Sequence, residues 1–194
     1  MGRKREFDQA RALEKATHLF WARGYGATPV RDLLKAMGIR ESSFYHLYGS
    51  KRKLFLACMK HYNETVTRAR LDAIAHAPTV REGLRIFFKQ RLDELTDSQT
   101  PRVCLMARSL SPDVMQERQL NAYVRAEMSN FEQALTRRLQ QAKDTGELPS
   151  DFSAGVAAQI IFTYLQGYYR VVQILKTREE LWREIEGLLT KLGL

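Results

Sequence analysis

The stretch TPVRDLLKAMGIRESSFYHLYGSK, from Thr28 to Lys51, constrains the fold of this chain more than any other part of the sequence. Thr28 followed by Pro29 is a strong helix start, because a threonine hydroxyl can accept an unpaired backbone N–H and proline at the first position sacrifices no hydrogen bond. An apolar i, i+3, i+4, i+7 stripe follows and Gly38 ends it. A second short segment, rich in hydroxyl groups and aromatic rings, begins directly after this turn. The pattern predicts two short helices joined by a tight turn.

This arrangement is typical of a helix-turn-helix, whose second helix enters the major groove of DNA. The polar side chains of the second segment suit base edges: arginine suits guanine, a carboxylate can accept from a cytosine amino group, and hydroxyls suit several bases. The candidate base contacts are Arg40, Glu41, Ser42 and Ser43. Candidates that extend toward phosphate oxygens, which set register without reading sequence, are Tyr45, His46 and Lys51. We expect Phe44 and Leu47 to face the other way, into a small three-helix core.

Charge is concentrated in the same part of the chain. The full sequence has 194 residues and a formal net charge of +9, of which +7 lies in residues 1–53 and +2 in the other 141 residues. Concentrated positive charge attracts polyanions, most often nucleic acid, although a solvated basic face would look similar. The charge therefore agrees with a DNA-binding segment at the N-terminus.

The rest of the chain also predicts helices, and we expect an all-α fold of about nine helices. Residues 1–50 would form a three-helix helix-turn-helix domain, and residues 51–194 a helical domain for effector binding and dimerisation. Asp8, Ser50 and Thr79 are expected caps, and Thr177 with Glu180 is an expected capping box. The predicted helices span about 8–23, 28–38, 40–47, 50–73, 79–96, 103–109, 111–143, 151–176 and 177 onward. Helix 50–73 would connect the two domains.

The segment LFWARGYGATPVRDLLKAMGIRESSFYHLYGSKRKLF resembles the DNA-binding region of the tetracycline-repressor (TetR) family of bacterial transcription factors. The similarity covers about residues 8–62 and is carried by Phe20, Gly24, Tyr25, Thr28, Gly38, Ile39, Phe44, Tyr45, Ser50, Lys51 and Leu54. It implies a homodimeric repressor that leaves its double-stranded DNA operator when a small molecule binds the C-terminal helices. By position it also implies phosphate contacts at Thr28, Tyr45, His46 and Lys51. Two residues depart from the family pattern: Leu47 replaces a frequent histidine, and Ser42 a frequent glycine.

A small-molecule effector would lodge among the helices that follow residue 50. Candidate lining residues, each of which could equally be plain core, are Cys58, Tyr62, Phe87, Phe88, Cys104, Phe131 and Phe162. The apolar faces of helix 151–176 and the last helix predict a dimer interface, with closure of the subunit's own core as the alternative. The candidate interface residues are Ile161, Tyr164, Leu165, Tyr168, Trp182, Ile185 and Leu189.

Other functions remain as alternatives. Cys104 could be a thiol sensor of electrophiles or oxidants, if Arg102 and Arg108 lower its pKa, or it could be a buried small hydrophobe. The two cysteines and four histidines show no metal-ligand spacing, and we expect no metal, no cofactor and no enzyme activity. A nonspecific nucleoid-type protein would explain the charge but not the large near-neutral helical body. Without a signal peptide or membrane span in the sequence, we expect a cytoplasmic protein.

Overall fold

The computed structural model describes residues 8–94, 100–171 and 177–194, and within these ranges the chain forms ten helices and no strand. The first three are α1 (Gln9–Arg23), α2 (Val30–Met37) and α3 (Glu41–Tyr48). A continuous helix, α4, consists of Lys51–Tyr62, the π-helical turn Asn63–Thr67 and Arg68–Ala75. The others are α5 (Val80–Asp93), α6 (Leu105–Arg108), α7 (Pro112–Met115), α8 (Arg118–Asp144), α9 (Ala154–Val171) and α10 (Arg178–Lys191). The all-α prediction is confirmed.

Several helix starts follow from local capping, as predicted. The Asp8 carboxylate accepts the N–H of Arg11 at 3.0 Å and begins α1. Ser50 accepts the N–H of Lys53 at 3.2 Å and begins α4. Thr177 and Glu180 form a complete capping box at α10. Each cap satisfies backbone N–H groups that have no partner inside the helix.

The start of α2 differs from the prediction. Its N-cap is Pro29, with no side-chain hydrogen bond, and the Thr28 hydroxyl does not accept an N–H of this helix. That hydroxyl instead donates to the carbonyl of Gly24 at 2.6 Å, at the end of α1. Thr28 thus closes the preceding loop, because its buried side chain lies over the last turn of α1.

The predicted helix 111–143 is two helices, which accounts for ten rather than nine. The chain breaks between α7 and α8 at Gln116 and Glu117, and the side-chain amide of Asn121 donates to the carbonyl of Met115 at 2.7 Å. This bond satisfies a carbonyl at the break. The predicted ends of two other helices, at residues 95–96 and 172–176, lie outside the described residues.

Two apolar cores hold the helices together. The first joins α1–α4 to the chain between α6 and α8, with Phe20 and Phe55 in edge-to-face contact at 4.8 Å between ring centroids. Its fully buried members include Phe20, Leu33, Phe44, Leu54, Phe55, Leu105, Val114 and Leu120. Since these residues come from two distant stretches of the chain, α1–α4 pack directly on α6–α8.

The second core lies among α5, α8, α9 and α10, and it corrects the predicted dimer interface. Five of the seven predicted interface residues are at most 3% exposed and belong to this core: Ile161, Leu165, Tyr168, Ile185 and Leu189. Tyr164 and Trp182 are half-buried against it. The alternative reading, that these faces close the subunit itself, is therefore correct for the five buried residues. Large apolar side chains that α9 does leave exposed are Val156 and Ile160.

Candidate nucleic-acid interface and effector cavity

The exposed face of α3 carries the predicted base contacts. Arg40 is the N-cap of this helix, and Glu41, Ser42 and Ser43 form its first turn; all four are exposed. Tyr45 is 50% exposed, and His46 is also exposed. All six of these predicted side chains are therefore accessible to solvent.

The opposite face of α3 anchors it to the protein. Phe44 is fully buried, and its ring lies 6.1 Å from the half-buried ring of Tyr48, centroid to centroid. Gly38 begins the turn before α3 with a φ of +71°, a conformation that favours glycine, and its N–H donates to the carbonyl of Leu34. The prediction that Leu47 faces inward is wrong. Leu47 is 38% exposed, because Tyr48 occupies the inward position one residue later.

The predicted phosphate contacts differ in accessibility. Thr28 is fully buried, and its hydroxyl proton is already donated to Gly24, so its side chain has no donor left for a phosphate. Lys51 is half-buried, with its ammonium nitrogen 4.4 Å from the centre of the Tyr25 ring. Burial lowers the pKa of Lys51, and the nearby carboxylate of Asp113 opposes that shift. The ammonium thus lies over an aromatic face and within the electrostatic influence of an acid.

Asp113 belongs to a segment, residues 103–117, that we call the junction segment. It contacts α1 and α4 at several points: the Trp21 indole donates to the carbonyl of Val103 at 2.6 Å, and Arg52 pairs with Glu117 at 3.5 Å. A Cβ at Gly26 would lie 2.6 Å from a carboxylate oxygen of Asp113, so the α1–α2 loop and this acid approach closely. Sequence reasoning missed these contacts, because the partners are separated by more than 60 positions and share no local pattern.

On its other side, the junction segment borders a small cavity of about 40 Å³. Four of the seven predicted lining residues do line it: Phe87, Cys104, Phe131 and Phe162. The other three, Cys58, Tyr62 and Phe88, are at most 1% exposed and lie in the cores instead. The remaining lining residues are Asn63, Thr67, Arg70, Met106, Glu127, Met128, Leu165, Gln166 and Tyr169.

A buried arginine pair next to the cavity was not predicted. Arg70, only 7% exposed, donates to the Tyr62 hydroxyl at 2.9 Å and to Glu94 at 3.1 Å. Arg91, 5% exposed, pairs with the same carboxylate. Burial raises the pKa of the Tyr62 hydroxyl, which stays protonated. A sequence signal existed: Arg91 follows Phe87 and Phe88 at helical spacing, so it interrupts an otherwise apolar face.

The thiol environment does not favour the sensor alternative. Cys104 caps α6, where its sulfur accepts the N–H of Ala107 at 3.2 Å. Burial raises the pKa of the Cys104 thiol, and the hydrogen bond from Ala107 and the charges of Arg70 and Arg91 offset this only in part. Burial also raises the pKa of Cys58, to about 12. Since the thiolate is the reactive form, both cysteines are protonated and poorly nucleophilic at neutral pH.

Among the residues that the structure describes, no group of three or more His, Cys, Asp or Glu side chains could hold a metal ion. Across residues 8–94, 100–171 and 177–194, none of the helices is both long and apolar enough to span a membrane.

Comparisons with known proteins agree with this geometry. Residues 12–58 match the family model for bacterial regulatory proteins of the tetR family, and residues 81–188 match the tetracyclin repressor-like C-terminal domain. The uncharacterized HTH-type transcriptional regulator YezE of Bacillus subtilis is 34% identical over 148 residues, 76% of each chain. The HTH-type transcriptional repressor ComR of Escherichia coli is 27% identical over 198 residues, 95% of this chain and 93% of ComR.

Among solved structures, a cysteine mutant of the TetR family transcriptional regulator CifR, complexed with a 26-base-pair operator DNA, superposes with a TM-score of 0.85. It is 29% identical, and the alignment covers 97% of this chain and 98% of CifR. The match therefore extends over the helix-turn-helix, the junction segment and the cavity helices alike. With both family models matched and the fold shared along its length, this chain belongs to the TetR family of DNA-binding bacterial transcriptional regulators.

Proposed function

We propose that the protein is a repressor that binds a two-fold symmetric operator as a homodimer and leaves it when a small molecule enlarges and occupies the cavity. The observation that carries this proposal is the exposed polar face of α3, held rigidly by the buried ring of Phe44. CifR and ComR are described as an operator-binding regulator and a repressor, respectively. On this proposal the protein acts by binding rather than catalysis, in the cytoplasm, where the chromosome lies.

Each side chain on α3 has a proposed role on the DNA. Arg40, Glu41, Ser42 and Ser43 contact base edges, because helix N-terminal residues reach deepest into the major groove. Tyr45, His46 and Lys51 contact phosphates. Thr28 supports the loop before α2 and makes no side-chain contact, since its only hydroxyl proton is used within the protein. Residues 1–50 thus form the DNA-binding domain, and residues 51–194 the domain for effector and dimer contacts.

The dimer is proposed to form through α9. Val156 and Ile160 are 55% and 40% exposed and lie one helical turn apart, and the exposed Thr163 and Gly167 continue the same stripe. A stripe of apolar and small residues on the outside of a closed core suits a self-complementary two-fold contact. This stripe replaces the five buried residues of the earlier prediction; Tyr164, half-buried beside it, remains a proposed neighbour of the interface.

The size of the cavity supports a two-state mechanism. Typical ligand sites measure about 300–1,000 Å³, whereas this cavity is about 40 Å³, so a ligand can enter only if surrounding helices separate. Apolar rings of Phe87, Phe131 and Phe162 would hold the body of a small effector, with polar groups such as Arg70 and Gln166 fixing its orientation. Such a ligand shifts the equilibrium only by binding the open state better. Reciprocity then requires operator DNA to weaken ligand binding by the same factor.

Two elements connect the cavity to the DNA-binding surface. Helix α4 begins at Lys51 and lines the cavity with Asn63, Thr67 and Arg70. The junction segment lines it with Cys104 and Met106 and touches the DNA-binding helices on its other side. A ligand that displaces either element would therefore change the position of α3 relative to its symmetry mate.

Selection of bound sequences from a random DNA pool tests the proposal. We expect a palindromic site preferred over random DNA by roughly 10³ or more. Lys51→Ala should weaken binding to all sequences and reduce the salt slope by about one unit, while Arg40→Ala or Ser43→Ala should relax base preference. Lys60→Ala, an exposed lysine further along α4, and Ser129→Ala on α8 are matched controls. Recovery of no preferred sequence, or equal losses for variants and controls, would refute the proposal.

A further inference from the structure

One apolar side chain on the DNA-facing surface has no role in the assignment above. Among the residues that the structure describes, six large hydrophobic side chains are exposed, and two of them, Tyr45 and Leu47, lie on the eight-residue helix α3. Tyr45 carries a hydroxyl that can donate to a phosphate. Leu47 carries no hydrogen-bonding group, so its side chain cannot donate to a phosphate.

We infer that Leu47 contacts the 5-methyl group of a thymine in each operator half-site and is a specificity-determining residue. This inference rests on the proposed DNA-binding function of α3. Thymine is the base that presents an apolar group in the major groove, and apolar side chains are its usual partners. A leucine beside this groove therefore has one favourable contact among the base edges.

The geometry of α3 places Leu47 beside a proposed base-reading residue. Ser43 and Leu47 are four positions apart, so their side chains share one side of the helix. Phe44 and Tyr48 form the inward side, and Leu47, 38% exposed, lies outside it. A hydroxyl at Ser43 and a branched apolar group at Leu47 together suit the two neighbouring features of an A·T pair, a polar edge and a methyl group.

The experiment removes the methyl group from the DNA rather than from the protein. Thymines in the selected operator are replaced one symmetric pair at a time by deoxyuridine, which retains all hydrogen-bonding groups. Affinities are measured by fluorescence anisotropy for wild type, Leu47→Ala and Leu47→Met. At one thymine position per half-site, the operator affinity of wild type should fall about fourfold for each methyl removed, as expected for burial of one methyl-sized group. For Leu47→Ala, the same replacement should lower the affinity less than twofold. Leu47→Met should keep most of the loss of affinity seen in wild type.

Control measurements separate a lost contact from a damaged fold. Since Leu47 is already exposed, Leu47→Ala should keep wild-type thermal unfolding and wild-type affinity for random DNA. Tyr45→Phe, a change on the same helix, should keep the full deoxyuridine effect. Equal deoxyuridine effects in wild type and Leu47→Ala, or no sensitive thymine at all, would overturn the inference while leaving operator binding intact. A change of oligomeric state in Leu47→Ala would assign this leucine to a protein contact instead. Failure to select any operator would refute the proposed function itself.

Discussion

The contacts of the junction segment predict that removing charged groups here strengthens operator binding, whereas most charge removals at a DNA-binding surface weaken it. Asp113 and Glu117 lie beside Lys51 and Arg52, the first two residues of α4. Lys51 is a proposed phosphate contact, so these acids compete with the operator for nearby positive charge. We therefore expect Asp113→Asn and Glu117→Gln to strengthen operator binding.

The size of the effect follows from the exposure of these groups. Arg52 and Glu117 are 42% and 43% exposed at 3.5 Å, and such partly exposed pairs contribute about 0.2–1 kcal/mol. Taking about 0.5 kcal/mol for each subunit, two subunits give about 1 kcal/mol, or roughly fivefold tighter binding. Because the interaction is screened, the gain should shrink as the salt concentration rises from 0.1 M, where the Debye length is about 10 Å, toward 1 M, where it is about 3 Å.

Fluorescence anisotropy with labelled operator over a salt series measures this gain. Asp151→Asn is the matched control, since it changes net charge equally and lies beyond the far end of α8, a helix of 27 residues. That helix spans about 40 Å from its start beside Glu117. A double-mutant cycle with Lys51→Ala should abolish the gain from Asp113→Asn. An equal gain in Asp151→Asn, a gain independent of salt, or weaker binding by Asp113→Asn would refute the competition.

Further predictions concern the dimer, the buried arginines, the thiols and one loop glycine. Ile160→Glu should give a folded monomer in sedimentation, with reduced operator affinity in anisotropy measurements. Ile161→Glu, a change of a buried residue, should instead unfold the chain. A fully dimeric Ile160→Glu would exclude the α9 interface. Glu94→Gln should lower the free energy of unfolding in urea by about 3 kcal/mol or more, because it leaves two buried guanidinium groups without their carboxylate. Arg91→Met leaves the Arg70–Glu94 pair intact and should lower the free energy of unfolding clearly less. Equal losses in the two variants would contradict this account. Cys104 should react slowly with a thiol reagent at pH 7.5 and faster as the pH rises, because burial raises its pKa. Cys104→Ser should bind operator like wild type. Rapid modification that releases operator would restore the sensor alternative. Gly26→Ala should change the free energy of unfolding by less than about 1 kcal/mol, because Gly26 is exposed without a positive φ and the Asp113 carboxylate that its Cβ would meet is the end of a flexible side chain. A larger loss that Asp113→Ala reverses would show instead that this carboxylate is held in place.

The sequence by itself determined the elements whose causes are local. The caps at Asp8, Ser50 and Thr177 act within three residues, so their helix starts could be predicted. The glycine turn at Gly38 and the polar face of α3 are also local features, and they carried the resemblance to the TetR family. Of the residues that line the cavity, Phe87, Phe131 and Phe162 could be predicted to face inward, because apolar periodicity identifies the inward face of a helix.

Tertiary packing decided the remaining features. Sequence periodicity indicates that a side chain faces inward, but it does not indicate which surface covers that side chain. Ile161 and Ile185 are apolar on helices with broad apolar faces, and only the packing of α5, α8, α9 and α10 shows that their own subunit buries them. Leu47 and Tyr48 are adjacent, and the ring beside Phe44 determined which of them faces inward. Arg70, Arg91 and Glu94 meet across two helices, and Asp113 meets the start of α4 across more than 60 positions of sequence. Such long-range contacts leave no regular spacing in the sequence, so they become visible only when the helices are packed together.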